Sequence, residues 1–229
     1  MNWIKILVIC LMGAAVGEAM RRQLNRLTYR CVAASDESDV ARTVDEVDET
    51  ALPAPGVRWW IPVVLGIGWG CVGWRCSTWL EVTGWANLLG WLAFSGIGLW
   101  MAAIDLDVRR LPDRSQILLA VVSVGFGVVI CWEDPIRLAV GLGTGLACGL
   151  VFFIMHAISR GSLGLGDVKL VLTCGWWLGL ISVAAVFAGL VISCVLAVAY
   201  SLLAKQRQFA FGPWLVAGTV IAGLMGQLS

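Results

Sequence analysis

Apolar residues fill eight long runs of this chain, and short polar segments separate the runs. The runs cover residues 3–20, 59–74, 83–104, 116–132, 136–158, 169–181, 183–204 and 209–228. Apolar residues are continuous within each run and do not alternate with polar ones, so they predict helices rather than the strands of a barrel. Since about 20 apolar residues cross a bilayer as a helix, we predict an all-α polytopic membrane bundle with about eight transmembrane helices.

Two details of this pattern bear on packing. No charge lies in the middle of residues 169–204, which are too many for a single spanning helix, so we expect a break near Gly179–Ser182. In the fifth run Gly141, Gly145 and Gly149 recur at every fourth position. Small residues at this spacing let two helices approach closely, so we expect the fifth helix to pack tightly against a neighbour.

The chain divides into three parts by composition. Residues 1–30 form an apolar run followed by four arginines, without a small-residue cleavage site after the run, which predicts a retained anchor helix and a basic inner segment. Residues 31–57 contain seven acids and are too polar to build a core, so we expect an acidic cytoplasmic loop that is solvated. Residues 58–229 hold the remaining seven runs and form the membrane domain.

The distribution of charge predicts the orientation. If the segment after the first run is cytoplasmic, all of the 16 basic residues lie inside except Lys5, Arg75 and Arg137. Because Lys and Arg are enriched in cytoplasmic loops, this predicts a multi-pass protein of the inner membrane with both termini outside. The composition agrees, with 59% hydrophobic and 14% charged residues. No basic patch with interleaved aromatic residues points to a nucleic-acid partner.

Acids near the inner face are the candidates for chemistry, because ionisable side chains at membrane depth are costly. Asp105 follows a long uncharged stretch at the inner end of the third run. Asp167 stands in the segment Gly161–Lys169, which we predict to be an inner loop, because three glycines within six residues disfavour a helix. The same glycines leave room beside Asp167 for the backbone of a substrate.

Other polar residues near this face have simpler expected roles. Asp113 follows Pro112 and precedes Gln116 by three positions, which predicts that Asp113 is the N-cap of the fourth helix and Gln116 its capping partner.

We expect Asp107 to be solvated and to pair with Arg109 or Arg110. The single histidine, His156, is expected to pack within the membrane domain and to bond to a neighbouring helix.

Two aspartates at the inner face predict an aspartic dyad, in which one carboxyl keeps a proton while the other activates a water molecule. From the residues alone, two alternatives stay open for Asp105 and Asp167. They are unrelated acids at the membrane interface, or they form the proton relay of a small proton-coupled transporter. A scaffold without catalytic activity is a further interpretation.

The motifs around these acids resemble a known family. Gly164–Asp167 is similar to the GxGD motif of intramembrane aspartic proteases, and Asp105 with the downstream Leu111–Asp113 resembles the first motif of type IV prepilin peptidases. Lys169 also fits that pattern. The resemblance implies catalytic Asp105 and Asp167, an active-site loop that includes Gly164, Gly166 and Lys169, and supporting roles for Pro112 and Asp113.

The resemblance also implies a substrate, which is a prepilin or pseudopilin whose short basic leader is cut on the cytoplasmic side. Residues 58–229 would then be a membrane peptidase domain. Many members carry a zinc-binding domain with two CxxC pairs after the first span, associated with methylation of the new N-terminus. In this sequence, Cys31 is the only cysteine in residues 31–57. We therefore expect a short form without the methyltransferase part, and neither a metal nor another cofactor.

Overall fold

Eight helices form the part of the chain that this computed structural model describes, which comprises residues 3–30, 56, 58–76, 82–159, 163–204 and 210–226. They are α1 (Trp3–Leu24), α2 (Trp60–Cys76), α3 (Val82–Val108), α4 (Asp113–Ile130), α5 (Pro135–Ile158), α6 (Leu165–Gly179), α7 (Val183–Ala204) and α8 (Gly212–Gly226). Those ranges contain no strand. The all-α bundle and the break before α7 are confirmed, whereas the acidic segment 31–57, residue 56 apart, lies outside the described residues.

Helix length and composition make this a multi-pass membrane protein. Five helices, α1, α3, α4, α5 and α7, are long and apolar enough to cross a membrane. Large apolar side chains such as Leu7, Val121, Leu142 and Val195 are exposed on four of these helices, as expected for surfaces that face lipid. The helices α6 and α8 have 15 residues each and are shorter than a full span, at roughly 22 Å against a hydrocarbon core of roughly 30 Å.

The short helix α6 forms the centre of the bundle. It packs against α4, α5, α7 and α8, and ten of its 15 residues are buried. Trp177 of α6 meets the edge of Trp91 with ring centroids 5.4 Å apart and stacks on Phe94 at 5.9 Å. Because most of α6 is buried against other helices, its position depends on tertiary packing rather than on contact with lipid.

Glycines allow α5 to approach α6 closely, as the spacing predicts. Gly141, Gly145 and Gly149 are buried, and a methyl group added at Gly145 would lie 3.0 Å from the Leu172 carbonyl oxygen. The Thr144 hydroxyl donates a hydrogen bond across the contact to a backbone carbonyl oxygen of α6 at 3.0 Å. This contact fixes α6 against the longer helix α5 along much of its length.

Replacing Gly179 by alanine is expected to destabilise this contact. The new methyl carbon would lie 1.9 Å from Thr144 Oγ1 and 2.9 Å from Gly141 Cα, so the two helices must separate. Overpacking of this kind costs about 1–3 kcal/mol. A lower melting temperature of the purified protein in detergent would show it.

The matched control is Gly143→Ala on α5, where an added methyl group meets nothing within 4 Å. Equal melting temperatures for the Gly179→Ala and Gly143→Ala proteins would contradict the role assigned to this contact.

Candidate active site

Asp105 lies in the last turn of α3, where its carboxylate contacts the start of α8. The residue is only 4% exposed. The backbone N–H of Gly212, the first residue of α8, donates a hydrogen bond to Asp105 Oδ2 at 3.1 Å. A methyl group added at Gly212 would lie 2.7 Å from this oxygen, so the close approach needs a glycine. The N-terminal end of a helix carries partial positive charge, which stabilises the carboxylate placed there.

Asp167 lies in the first turn of α6. The Gly164 carbonyl oxygen accepts hydrogen bonds from the backbone N–H groups of Asp167 at 3.1 Å and Val168 at 3.4 Å, so Gly164 is the N-cap and the helix begins at Leu165. The prediction that Asp167 lies in an inner loop is therefore wrong. The glycines do not prevent the helix, because Gly166 lies in its first turn and packs closely there against α4 and the segment before it.

The fold brings the two predicted acids to one place. The Leu111 side chain lies between their supports, since methyl groups added at Gly166 and Gly212 would each lie 3.2 Å from one of its carbons. The charge of Asp167 acts unfavourably on that of Asp105. Among the described residues, neither carboxylate has an ion-pair partner. In that part of the chain, the site therefore holds two acids without a neutralising cation.

Asp107, two residues after Asp105, has the opposite environment. Its side chain is 7% exposed, and Oδ1 accepts from Arg30 Nη2 at 2.9 Å while Oδ2 lies 3.4 Å from Arg58 Nη2. The Tyr29 hydroxyl donates a further hydrogen bond to Oδ2. Burial raises the pKa of the Tyr29 phenol, which keeps it protonated as a donor. This buried cluster joins the segments that follow α1 and precede α2 to the C-terminal end of α3.

The expectation that Asp107 is solvated and pairs with Arg109 or Arg110 is wrong. Positions 105 and 107 are separated by roughly 200° around a helix, so Asp107 faces away from Asp105 and towards the first two helices. Arg109 adopts a left-handed conformation with φ 53°, which ends α3 and turns the chain towards Leu111. Contacts between distant segments therefore replace the local pairing predicted from the sequence.

Pro112 and Asp113, the predicted supporting residues, also lie beside the site, but their roles differ from the predicted ones. Pro112 is the N-cap of α4 and makes no side-chain capping bond, so the prediction that Asp113 is the N-cap is wrong. Asp113 is the first helical residue instead, and its Oδ1 accepts a hydrogen bond from Lys169 Nζ of α6 at 2.5 Å. Both side chains are mostly exposed, so this ion pair aligns the starts of α4 and α6 but contributes little to stability.

His156 holds the chain that leads into α6. Its Nδ1 lies 2.5 Å from the Leu163 carbonyl oxygen, and the backbone N–H of Leu163 donates to Ser159 Oγ at 3.4 Å. The expected partner on a neighbouring helix is therefore replaced by the residue just before Gly164. His156 takes part in placing the first turn of α6.

Sequence reasoning missed three contributors to this region, which are Gly212, Arg30 and Arg58. Gly212 was overlooked, although a glycine followed by Pro213 at the start of an apolar run is a signal for a helix N-terminus. Arg30 and Arg58 were predicted only as basic inner residues, and no local pattern indicates that both reach Asp107. Within the residues described, no group of three or more His, Cys, Asp or Glu side chains could hold a metal ion.

Similarity to known proteins agrees with this geometry. A family model described as the type IV leader peptidase family matches residues 92–202, a range that contains both site acids. Residues 92–202 belong to the type IV leader peptidase family.

Curated relatives of this leader peptidase region have the same printed name, prepilin leader peptidase/N-methyltransferase. The protein of Neisseria gonorrhoeae is 30% identical over 169 residues, 70% of this chain and 55% of the relative. The protein of Dickeya chrysanthemi is 33% identical over 147 residues, 61% of this chain and 50% of the relative. That of Bacillus subtilis is 37% identical over 88 residues, 36% of each chain. The chain thus spans about half the length of the first two relatives, and no solved structure matches it.

Removing the charge of Asp107 is expected to destabilise the bundle strongly. The variant Asp107→Asn breaks the buried ion pairs that this carboxylate makes with Arg30 and Arg58, and breaking a buried ion pair costs about 3–5 kcal/mol. Thermal unfolding in detergent measures the effect. The same substitution at the exposed Asp113 is the control and is expected to change the melting temperature little, because water screens its ion pair. Similar losses in both variants would contradict the structural role of the Asp107 cluster.

Proposed function

We propose that this chain is a membrane aspartic endopeptidase that cleaves the short basic leader of type IV prepilins or pseudopilins. The observation that carries the proposal is the meeting of Asp105 and Asp167 at the N-termini of α8 and α6, in a region that matches the type IV leader peptidase family. No cation from the described residues pairs with either acid. The curated relatives are named as prepilin leader peptidases, which supports the same substrate class.

Two neighbouring carboxyl groups of this kind provide both an acid and a base. Like charges in a site of low dielectric do not both ionise, so the pair of Asp105 and Asp167 shares one proton. The ionised carboxylate removes a proton from a water molecule, whose oxygen attacks the carbonyl carbon of the scissile peptide bond. The protonated partner donates its hydrogen bond to the carbonyl oxygen. The bond to nitrogen then breaks, and the amine leaves with the proton taken from water.

The remaining site residues support this pair. In the proposed enzyme, Gly164 and Gly166 keep the start of α6 free of side chains beside Asp167, and Lys169 aligns α6 with α4 through its ion pair with Asp113. Pro112 is the N-cap of α4 and fixes where this helix starts beside the site. Residues 58–229 form the peptidase domain in this proposal. The segment after α1 contacts this domain through the ion pair of Arg30 with Asp107.

We place the site at the cytoplasmic side of the inner membrane. Arg30, Arg58 and Lys169 all lie at the end of the bundle that carries the two site acids. Because Lys and Arg mark the cytoplasmic side, this clustering supports an orientation in which a cytoplasmic leader reaches the dyad. The apolar helix that follows the leader would then lie in the bilayer beside the site.

Substituting either acid is expected to abolish cleavage. When this chain is expressed together with a prepilin, sequencing the N-terminus of the product should show a single cut. Asp105→Asn and Asp167→Asn should each lower the cleavage rate by about 10²–10⁴-fold or more, because general acid–base catalysis needs both carboxyl groups. The control Asp134→Asn, at the start of α5, should cleave normally. Full activity in either site variant would overturn the proposal, and solute uptake driven by a pH gradient would favour a transporter.

Replacing Gly212 by alanine is expected to impair catalysis while the protein still folds. The methyl group would lie 2.7 Å from Asp105 Oδ2 and would displace the carboxylate from its position beside Asp167. Displacing a catalytic group by about 1 Å lowers kcat by about 100-fold. The control is Gly125→Ala on α4, where nothing lies within 4 Å of the added methyl group. Equal kcat values in the two variants would show that the bond from Gly212 does not matter.

A further inference from the structure

Gln116 is a buried polar residue whose hydrogen bonds are not satisfied. It lies in the first turns of α4 and is only 5% exposed. Neither its Oε1 nor its Nε2 has a partner among the residues that the structure describes. Such atoms are rare in folded proteins, since a buried amide without partners loses its bonds to water and gains nothing in return. Its predicted role as the capping partner of Asp113 does not account for it, because Asp113 is not the N-cap.

The amide of Gln116 lies next to the turn that carries Asp167. A methyl group added at Gly166 would lie 3.1 Å from Gln116 Nε2. The amide therefore lies close to the α6 backbone, with no side chain between them. Leu111, which packs against the same glycine, also contacts the position of Gly212 beside Asp105. Gln116 therefore borders the site from the side of α4.

The chemistry of a primary amide matches a peptide backbone. The Gln side chain offers N–H donors and a carbonyl acceptor together. In an extended chain, the N–H and C=O of one residue point to the same side, so a single amide can bind both. A neutral amide also adds this recognition without placing a third charge beside Asp105 and Asp167.

We propose that Gln116 binds the backbone of the substrate peptide beside the scissile bond, through both atoms of its amide. The substrate then satisfies the two buried polar atoms and is held in register with the two carboxyl groups. This inference rests on the proposed function, because it assigns a substrate-binding residue to that peptidase site. It makes Gln116 a residue that determines affinity rather than one that takes part in proton transfer.

Kinetics of Gln116→Met test the proposal, since methionine has the same length but no amide. The substrate is a synthetic prepilin peptide that contains the basic leader and the start of the apolar helix, and the enzyme is the full chain in detergent. We expect KM to rise about 10-fold or more while kcat stays within about twofold, the pattern of a lost binding contact.

The control is Ser123→Ala, which changes another residue on the buried face of α4. Ser123 is 1% exposed, and its hydroxyl also lacks a partner within the described part of the chain, but it lies two turns farther along the helix. Both KM and kcat should stay at their normal values in this variant. An unchanged KM in Gln116→Met, or a fall in kcat alone, would overturn the assignment of Gln116 to substrate binding.

Direct binding separates this inference from the proposed function. In the Asp167→Asn background, the Kd of the same fluorescently labelled peptide should rise about 10-fold when Gln116→Met is added, and it should not change with Ser123→Ala. A wild-type protein that binds the peptide through Gln116 but never cleaves it would refute the peptidase function alone. A protein that cleaves the peptide, with KM and Kd independent of Gln116, would refute this inference alone.

Discussion

The ion pairs of Asp107 with Arg30 and Arg58 are the interaction on which the site end of the bundle depends. Buried charges are tolerated only when they are paired and hydrogen-bonded, so these contacts force the segments around α1 and α2 to meet the end of α3. The Tyr29 hydroxyl completes the cluster. Because Asp105 lies two residues earlier on the same helix, the position of its carboxylate follows from this arrangement. The cluster therefore connects the first part of the chain to the site.

The contrast between Asp105 and Asp107 separates the proposed catalytic site from a structural ion-pair cluster. Both carboxylates are buried on one helix, yet Asp107 has two arginines while Asp105 has a backbone N–H and a second acid. Full neutralisation would keep a carboxylate from exchanging protons. The helix N-termini at Asp105 and Asp167 supply partial positive charge instead, which supports ionisation without fixing it. This balance suits a pair that alternates between acid and base.

The short helix α6 places the second acid. Its 15 residues are held by α5 through glycines that allow contact between backbones, and by the rings of Trp91 and Phe94 around Trp177. Close packing of this kind leaves few alternative positions, since van der Waals contacts between helices replace the hydrophobic effect inside a bilayer. The first turn of α6 then lies against Leu111 and Gln116, and this close approach is possible because Gly166 has no side chain. In the proposed peptidase, the residues assigned to substrate binding and to proton transfer therefore lie in one small region.

Apolar length, small-residue spacing and motifs are local properties of the chain. They were enough to predict the eight helices, the break before α7, the glycine contact of α5 and the two candidate acids, because helices are the way to satisfy the backbone in a bilayer. Packing in three dimensions was needed to show that Asp107 pairs with Arg30 and Arg58, that Gly212 bonds to Asp105, and that Gln116 borders the candidate site. These contacts join residues far apart in the chain, and the direction of a side chain on a membrane helix is set by its neighbours rather than by the local sequence.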